Sequence, residues 1–183
     1  PAGASFDHLH KQLVAIDELG TNNQTLLPKV VLNPNIHNEY GPDFAADHGL
    51  VLARNEHAVA TVGFGHRYPS VEIWSTSALD QPWRMTHEEI GAVADLLHAM
   101  HVAVGPHVPC NEEWHHRPVG VGVPVPWRVN LKLRVSTLAG FEGGTKIYVN
   151  TIDPWELRRR AVAALREPAP AGAWGACRGS VRC

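Results

Sequence analysis

The sequence has no long apolar run and no export signal. A membrane-spanning helix needs about 18 consecutive apolar residues, and no segment approaches that length. The chain begins Pro1-Ala2-Gly3, whereas a secretory signal begins with a basic segment followed by an apolar one. These two absences predict a soluble cytoplasmic protein that has no membrane partner.

Cysteine and net charge are also scarce. The three cysteines, Cys110, Cys177 and Cys183, form neither a disulfide framework nor a CxxC metal-binding pair. The chain has 16 Lys and Arg residues and 18 Asp and Glu residues, which leaves a formal net charge of -2. Because no overall basic field exists, we expect no nucleic-acid partner, and any anionic ligand must be bound by local groups.

The remaining composition is that of a globular protein. The chain has 183 residues, of which 44% are hydrophobic and 19% are charged, enough to form a core. Histidine is abundant, with 12 residues, several of them in close pairs. The first residue is not Met, and a motif appears within the first twelve residues, so we expect the chain to be a fragment of a longer protein.

Hydrophobic periodicity predicts an antiparallel sheet with packed helices, an α+β fold. Alternating or apolar runs predict strands at 50–53, 57–62, 70–75 and 128–135, and a Gly-Gly turn predicts one more at 146–150. The polar residues of the 128–135 strand are expected on one face of the sheet. Residues 5–16 are also expected to form a strand.

Two helices have clear start signals. Thr86 and Glu89 form a capping box, which predicts a helix from residue 86 to Gly105. Asp153 before Pro154 predicts the start of a last helix that ends near residue 166. Both helices should bury an apolar face against the sheet.

The organisation along the chain follows from these elements. Residues 1–19 carry the motif described next, and 48–167 form the main domain. Residues 20–47 are rich in Asn, Pro, Gly and Asp and predict an irregular connector, while 168–183 predict a disordered tail.

The segment with the most specific chemical pattern is residues 3–12. On a strand, His8, His10 and Gln12 point to one face because side chains alternate. An imidazole can attack phosphorus, and a neighbouring amide can donate hydrogen bonds to the phosphoryl oxygens. The alternative is a surface strand with two solvated histidines.

Gly3, Ser5, His8, His10 and Gln12 form the pattern Gly-x-Ser-x-x-His-x-His-x-Gln. This pattern resembles the active-site motif of galactose-1-phosphate uridylyltransferases and their relatives, in the histidine-triad superfamily. Those enzymes have two histidine-triad-like halves. The resemblance implies that this chain holds the terminal strand of an incomplete first half and the whole second half.

The resemblance also implies a reaction. His10 would be the nucleophile that forms a nucleotidyl-histidine intermediate, and Ser5 and Gln12 would contact the transferred phosphoryl group. The implied activity is a UDP-hexose:hexose-1-phosphate uridylyltransferase of galactose metabolism, with a nucleotide sugar and a sugar phosphate as partners. Leu9 stands where some family members have proline between the motif histidines, which leaves the sugar open.

Metal and partner contacts are implied in the same way. His8 and His115 match metal-ligand positions, so zinc is a possible cofactor with an incomplete ligand set. Pro126-Trp127-Arg128 stands where the second half of relatives has its own HxH, which indicates that the second metal site is absent. Phe141 and Glu142 match hexose-contacting residues that reach the partner subunit's site, which implies a homodimer.

Two alternatives to the uridylyltransferase remain. One is a non-catalytic histidine-triad-like scaffold fragment, and the other is a phosphorylase or hydrolase of dinucleoside polyphosphates. Outside the motif, His98 and His101 have helical spacing and are expected on a solvated helix edge. Cys110 is expected to have no adjacent base that would make it reactive.

Overall fold

A computed structural model describes residues 11–135 and 140–167. Within these ranges the helices are α1 (Thr21–Leu32), α2 (Ile36–Glu39), α3 (Pro42–Asp47), α4 (His87–Val104), α5 (Gly140–Thr145) and α6 (Pro154–Arg166). The strands are β1 (Val51–Arg54), β2 (Ala58–Val62), β3 (Ser70–Ser75), β4 (Cys110–His115) and β5 (Arg128–Leu133). A 3-10 turn, Pro82–Arg84, precedes α4.

The five strands form one antiparallel sheet in the order β1-β2-β3-β5-β4. The α+β prediction is confirmed, as are the meander of the first three strands and the strand that begins at Arg128. In the β3–β5 pair, Glu72 faces Asn130 and Trp74 faces Arg128. The polar residues of β5 therefore share one face of the sheet, as the alternation predicts.

The opposite face of the sheet holds the apolar core. Ile73 and Val129 are fully buried there, and Leu96 and Met100 of α4 belong to the same cluster with no exposed surface. Helix α6 packs against α4 and the first two strands, and it contributes Leu157 to the core. Two helices thus cover one face of the sheet, as the amphipathic patterns predict.

Both predicted helix starts are confirmed. The Thr86 hydroxyl accepts a hydrogen bond from the Glu89 backbone N–H at 3.2 Å, and the Glu89 carboxylate accepts one from the Thr86 N–H at 2.8 Å. The Asp153 carboxylate accepts from two backbone N–H groups at the start of α6. Helix α4 ends at Gly105, whose φ of +99° favours glycine.

The irregular structure predicted for 20–47 is wrong, because α1, α2 and α3 occupy this segment. Its Asn side chains bond within the segment: Asn33 donates to Glu39, and Asn38 donates to Asn35, both at 2.8 Å. Val30 of α1 is fully buried. Tertiary burial and these local bonds outweigh the weak helix propensity of an Asn- and Pro-rich sequence.

Three other predictions about elements need correction. The predicted turn and strand at 143–150 are wrong: both glycines lie in α5, and Ile147 and Val149 are exposed and pair with no strand of the described ranges. Residues 11–16 have no regular structure, and 5–10 lie outside the described ranges. Strand β4 was not predicted, because Cys-Asn-Glu-Glu-Trp-His lacks an apolar alternation.

The predicted tail, 168–183, also lies outside the described ranges. Among the helices of the described residues, none combines the length and the hydropathy needed to cross a bilayer.

Candidate functional site

The motif segment meets the described structure at Lys11 and Gln12. Ser5, His8 and His10 lie outside the described residues. Gln12 is exposed, and Lys11 forms an ion pair with Glu112 of β4, with Nζ 2.5 Å from Oε1. Lys11, which follows the predicted nucleophile His10 in the sequence, therefore contacts the edge strand β4 of the sheet.

Glu112 is the centre of a polar group that we call the β4 cluster: Lys11, His101, Cys110, Glu112 and Trp114. The His101 Nε2 atom lies 2.7 Å from Glu112 Oε1, and the Cys110 sulfur lies 3.7 Å from His101 Nδ1. The Trp114 indole N–H donates to the other Glu112 oxygen at 3.0 Å. A thiol, an imidazole and a carboxylate thus follow one another along the cluster.

The β4 cluster contradicts two expectations from the sequence. His101 does not lie on a merely solvated helix edge, and Cys110 has an adjacent imidazole. Both contacts depend on β4 lying beside the last turn of α4. Because β4 has no sequence signal of its own, no local pattern could bring these residues together.

The contacts within the cluster shift two pKa values in opposite directions. The hydrogen bonds of the His101 ring with Cys110 and then with the Glu112 carboxylate, which accepts, raise the pKa of His101 to about 9. The bond to His101 is the largest cause that lowers the pKa of Glu112 to about 2, and Lys11 and Trp114 lower it further. Near neutral pH the cluster therefore contains an imidazolium and a carboxylate.

A second polar group lies on the face of the sheet opposite the core. Glu113 and His115 of β4 point to this face beside Asn130 and Arg128 of β5. The neighbouring His115 and Lys132 lower the pKa of Glu113 to about 2, and Lys132 Nζ lies 2.5 Å from its carboxylate. Burial lowers the pKa of His115, whose Nε2 lies 3.6 Å from Glu113, too far for a good hydrogen bond.

The described surroundings of His115 do not form a metal site. No group of three His, Cys, Asp or Glu residues within 11–135 and 140–167 has an arrangement that could hold a metal ion. The carboxylate nearest to His115 is already paired with Lys132, and Arg128 faces His115 across the β4–β5 pair. Two cations there oppose a bound divalent ion. Because His8 lies outside the described residues, zinc at His8 and His115 stays a prediction.

Phe141 and Glu142, the predicted hexose contacts, lie at the start of α5. The Phe141 ring is 55% exposed, and Glu142 is half-buried. The structure does not bring either residue into the β4 cluster or the polar face. Their predicted contact with a partner subunit's site stays a prediction.

Solved structures with a similar fold include a GALT-like protein, an ADP-glucose phosphorylase and a uridylyltransferase. A GALT-like protein from Arabidopsis thaliana aligns with a TM-score of 0.70 over 87% of this chain, at 22% identity. An ADP-glucose phosphorylase from Arabidopsis thaliana with bound ADP-glucose aligns at 0.64 over 80% of this chain, and a uridylyltransferase at 0.62 over 79%, both at 19% identity.

These structural neighbours are longer proteins. The chain covers 56%, 50% and 49% of their respective lengths, so it spans about half of each. No curated protein matches the sequence. The resemblance to galactose-1-phosphate uridylyltransferase-like proteins is confirmed at the level of the fold.

A match to a known family covers nearly the entire chain. Residues 1–175, which include the His8–Gln12 motif and every described element, match the family described as a domain of unknown function, DUF4921. The chain therefore belongs to the DUF4921 family and has the fold of galactose-1-phosphate uridylyltransferase-like proteins.

Proposed function

We propose that the protein is a nucleotidyltransferase that works through a nucleotidyl-histidine intermediate on His10. The observation that carries the proposal is the combination of the His8-x-His10-x-Gln12 motif with the fold of uridylyltransferase-like proteins. Either part alone is weak, because short histidine patterns are common and a fold supports many activities.

The proposed reaction has two displacements at the α-phosphorus of a nucleotide sugar. In the first step, an imidazole nitrogen of His10 forms a bond to phosphorus, and the bond to the bridging oxygen breaks, which releases a sugar phosphate. In the second step, a phosphate oxygen of the acceptor attacks the same phosphorus. His10 leaves with its electron pair and is ready for another cycle.

Ser5 and Gln12 are assigned to the phosphoryl oxygens. A hydroxyl and an amide N–H both donate hydrogen bonds, and such bonds strengthen as negative charge develops in the transition state. The Lys11–Glu112 ion pair would help to position this segment against β4. Because Lys11 is 69% exposed, we expect its contribution to stability to be only about 0–1 kcal/mol.

The substrates, the oligomeric state and the location belong to the same proposal. We propose a nucleotide sugar and a sugar phosphate as substrates, a homodimer in which Phe141 and Glu142 reach the partner's site, and a cytoplasmic location. The two solved enzymes that guide the choice are named for different nucleotides, ADP-glucose in one and uridylyl in the other, so both UDP- and ADP-sugars are tested. With UDP-galactose or galactose 1-phosphate as substrates, the reaction would belong to galactose metabolism.

The experiment looks for the covalent intermediate. Full-length protein is incubated with UDP-glucose or ADP-glucose that carries radioactive phosphorus at the α position. We expect label in a bond that is acid-labile and base-stable, as for a phosphoramidate. His10→Ala should abolish the label, while His98→Ala, a change at an exposed histidine of α4, should leave it unchanged.

Gln12→Ala tests a residue that assists the transfer but does not form the covalent bond. Loss of one donor to a developing charge costs on the order of 10²–10³ in rate, so labelling should slow but still occur. Label that persists in His10→Ala would refute the assignment of the nucleophile. A wild type without label from any nucleotide sugar or dinucleoside polyphosphate would favour the non-catalytic scaffold.

A further inference from the structure

A cavity of about 470 Å³ lies on the polar face of the sheet, where α1 and α2 cover β3 and β5. We call it the polar-face cavity. The side chains of its lining that carry a polar group are those of Lys29, His37, Tyr40, His66, Glu72, Trp74, Arg128 and Asn130. This volume falls within the range of about 300–1,000 Å³ that is typical of small-molecule sites.

Four polar atoms in this lining are buried and have no hydrogen-bond partner within the described residues: His37 Nε2, Trp74 Nε1, Arg128 Nη1 and Asn130 Oδ1. Each such atom costs about 1–3 kcal/mol relative to a satisfied one. Unsatisfied buried atoms are rare in native proteins, and each one needs a physical explanation such as a bound water, ion or ligand. Four in one cavity indicate that a polar ligand completes the site.

Arg128 is the strongest of these groups. The residue is only 8% exposed, and its guanidinium stacks over the Trp74 ring, 5.2 Å from the centroid. An arginine stays charged in proteins, so this is a buried cation with a free donor atom. The contact with Trp74 places the guanidinium at the wall of the cavity, where the buried Nη1 has no hydrogen-bond partner within the described residues.

The balance of charge favours an anion. Glu72 is the acidic residue of the lining, and its carboxylate is bound by His66 Nε2 at 2.8 Å. Arg128 and Lys29 contribute two positive charges, which exceed the one negative charge. Arg and Trp side chains are donors only, whereas the Asn130 oxygen is an acceptor. A ligand that satisfies all of them offers anionic oxygens and at least one hydroxyl group.

We propose that the polar-face cavity binds a phosphate-type oxyanion that carries a hydroxyl group, either inorganic phosphate or a phosphomonoester, with Arg128 as the main anchor. Arginine recognises such anions well because its fork presents parallel N–H groups. The volume of the cavity also accommodates a substituent beside the phosphate, next to Tyr40 and Phe64. The proposal is independent of nucleotidyl transfer, because it concerns binding alone.

The test measures binding of inorganic phosphate and of glycerol 3-phosphate to the full-length protein by isothermal titration calorimetry, at constant ionic strength set with chloride. Arg128→Gln should weaken binding on the order of tenfold or more. Arg134→Gln is the matched control, since Arg134 stacks on Tyr68 at 5.1 Å but does not line the cavity. It should bind like the wild type.

A second variant keeps the test decisive if Arg128→Gln does not fold, which a thermal melt would show. Trp74→Phe retains an aromatic ring beneath Arg128 and removes the unpaired indole N–H. It should weaken binding several-fold without unfolding the protein. The two ligands are also compared with each other in the wild type. Tighter binding of inorganic phosphate assigns the site to free phosphate, and tighter binding of glycerol 3-phosphate assigns it to a phosphomonoester.

Three outcomes would overturn the proposal. The first is a wild type that binds neither ligand at 10 mM, a concentration chosen as roughly the weakest affinity of interest. The second is a folded Arg128→Gln or Trp74→Phe protein that binds as tightly as the wild type. The third is equal weakening by Arg134→Gln, which would mean that the anion responds to overall charge and not to the cavity.

Discussion

The two faces of the sheet are both buried, but they are completed in different ways. On the core face, Ile73 and Val129 have no exposed surface and belong to the hydrophobic core cluster. On the polar face, Thr61 is equally buried and Arg128 nearly so, yet each has a side-chain atom without a partner in the described structure. Burial on the core face stabilises the fold, whereas the unpartnered polar atoms on the polar face destabilise it. Such a cost is typical of a binding surface.

The largest change in the free energy of unfolding is expected from a substitution on the core face. Ile73→Ala removes a fully buried side chain at the centre of β3 and should lower the free energy of unfolding by about 2–5 kcal/mol. The loss combines lost burial with the cavity left behind. Urea unfolding followed by circular dichroism measures it. A loss well below 1 kcal/mol would mean that the core face is loosely packed.

The matched change on the polar face should have the opposite sign. Thr61 of β2 is fully buried, and its hydroxyl has no partner within the described residues. Thr61→Val replaces that hydroxyl with a methyl group of similar size and removes the cost of an unsatisfied donor. We expect a gain of about 1 kcal/mol in the same unfolding experiment. A loss would show that water or a ligand already satisfies the hydroxyl, and the contrast between the faces would then be smaller.

The sequence predicts the core face better than the polar one, for a physical reason. Helix α4 and strand β5 carry local signals, a capping box and a strict alternation, and local signals depend only on neighbouring residues. The alternation also shows that Arg128 and Asn130 share a face. It does not show that α2 covers that face, because α2 forms in a segment whose composition is typical of loops.

The same limit applies to the candidate site. The motif of His8, His10 and Gln12 is evident from spacing alone. The contact between His101 and Cys110 is not, since it joins the end of a helix to an edge strand without apolar alternation. Long-range contacts between polar residues leave no periodic trace in a sequence.

The effect that depends on pH compares a histidine from each region, His37 above the polar face and His101 in the β4 cluster. Burial is the main cause that lowers the pKa of His37 to about 4, and the nearby Arg128 lowers it further. The contacts with Cys110 and Glu112 raise the pKa of His101 to about 9. Both residues have an ordinary value near 6.5, so the two histidines should make stability depend on pH in opposite ways.

The direction follows from which state binds the proton more tightly. The folded protein disfavours protonated His37, so its contribution is complete above pH 6.5 and is lost as the pH falls towards 4. The folded protein favours protonated His101, so that contribution is complete below pH 6.5 and is lost as the pH rises through 9. Because about a third of the His101 side chain is exposed, solvent screening should reduce its effect.

Unfolding free energies of wild type, His37→Gln and His101→Gln, measured between pH 4 and pH 10, separate the two contributions. The difference between wild type and His101→Gln should shrink as the pH rises from 6.5 to 9, and the acid side should be unchanged. Loss of stability between pH 6.5 and 4 should be smaller in His37→Gln than in the wild type. If both variants changed the same side of the profile, the two histidines would share one environment, and the separation between the polar face and the β4 cluster would be wrong.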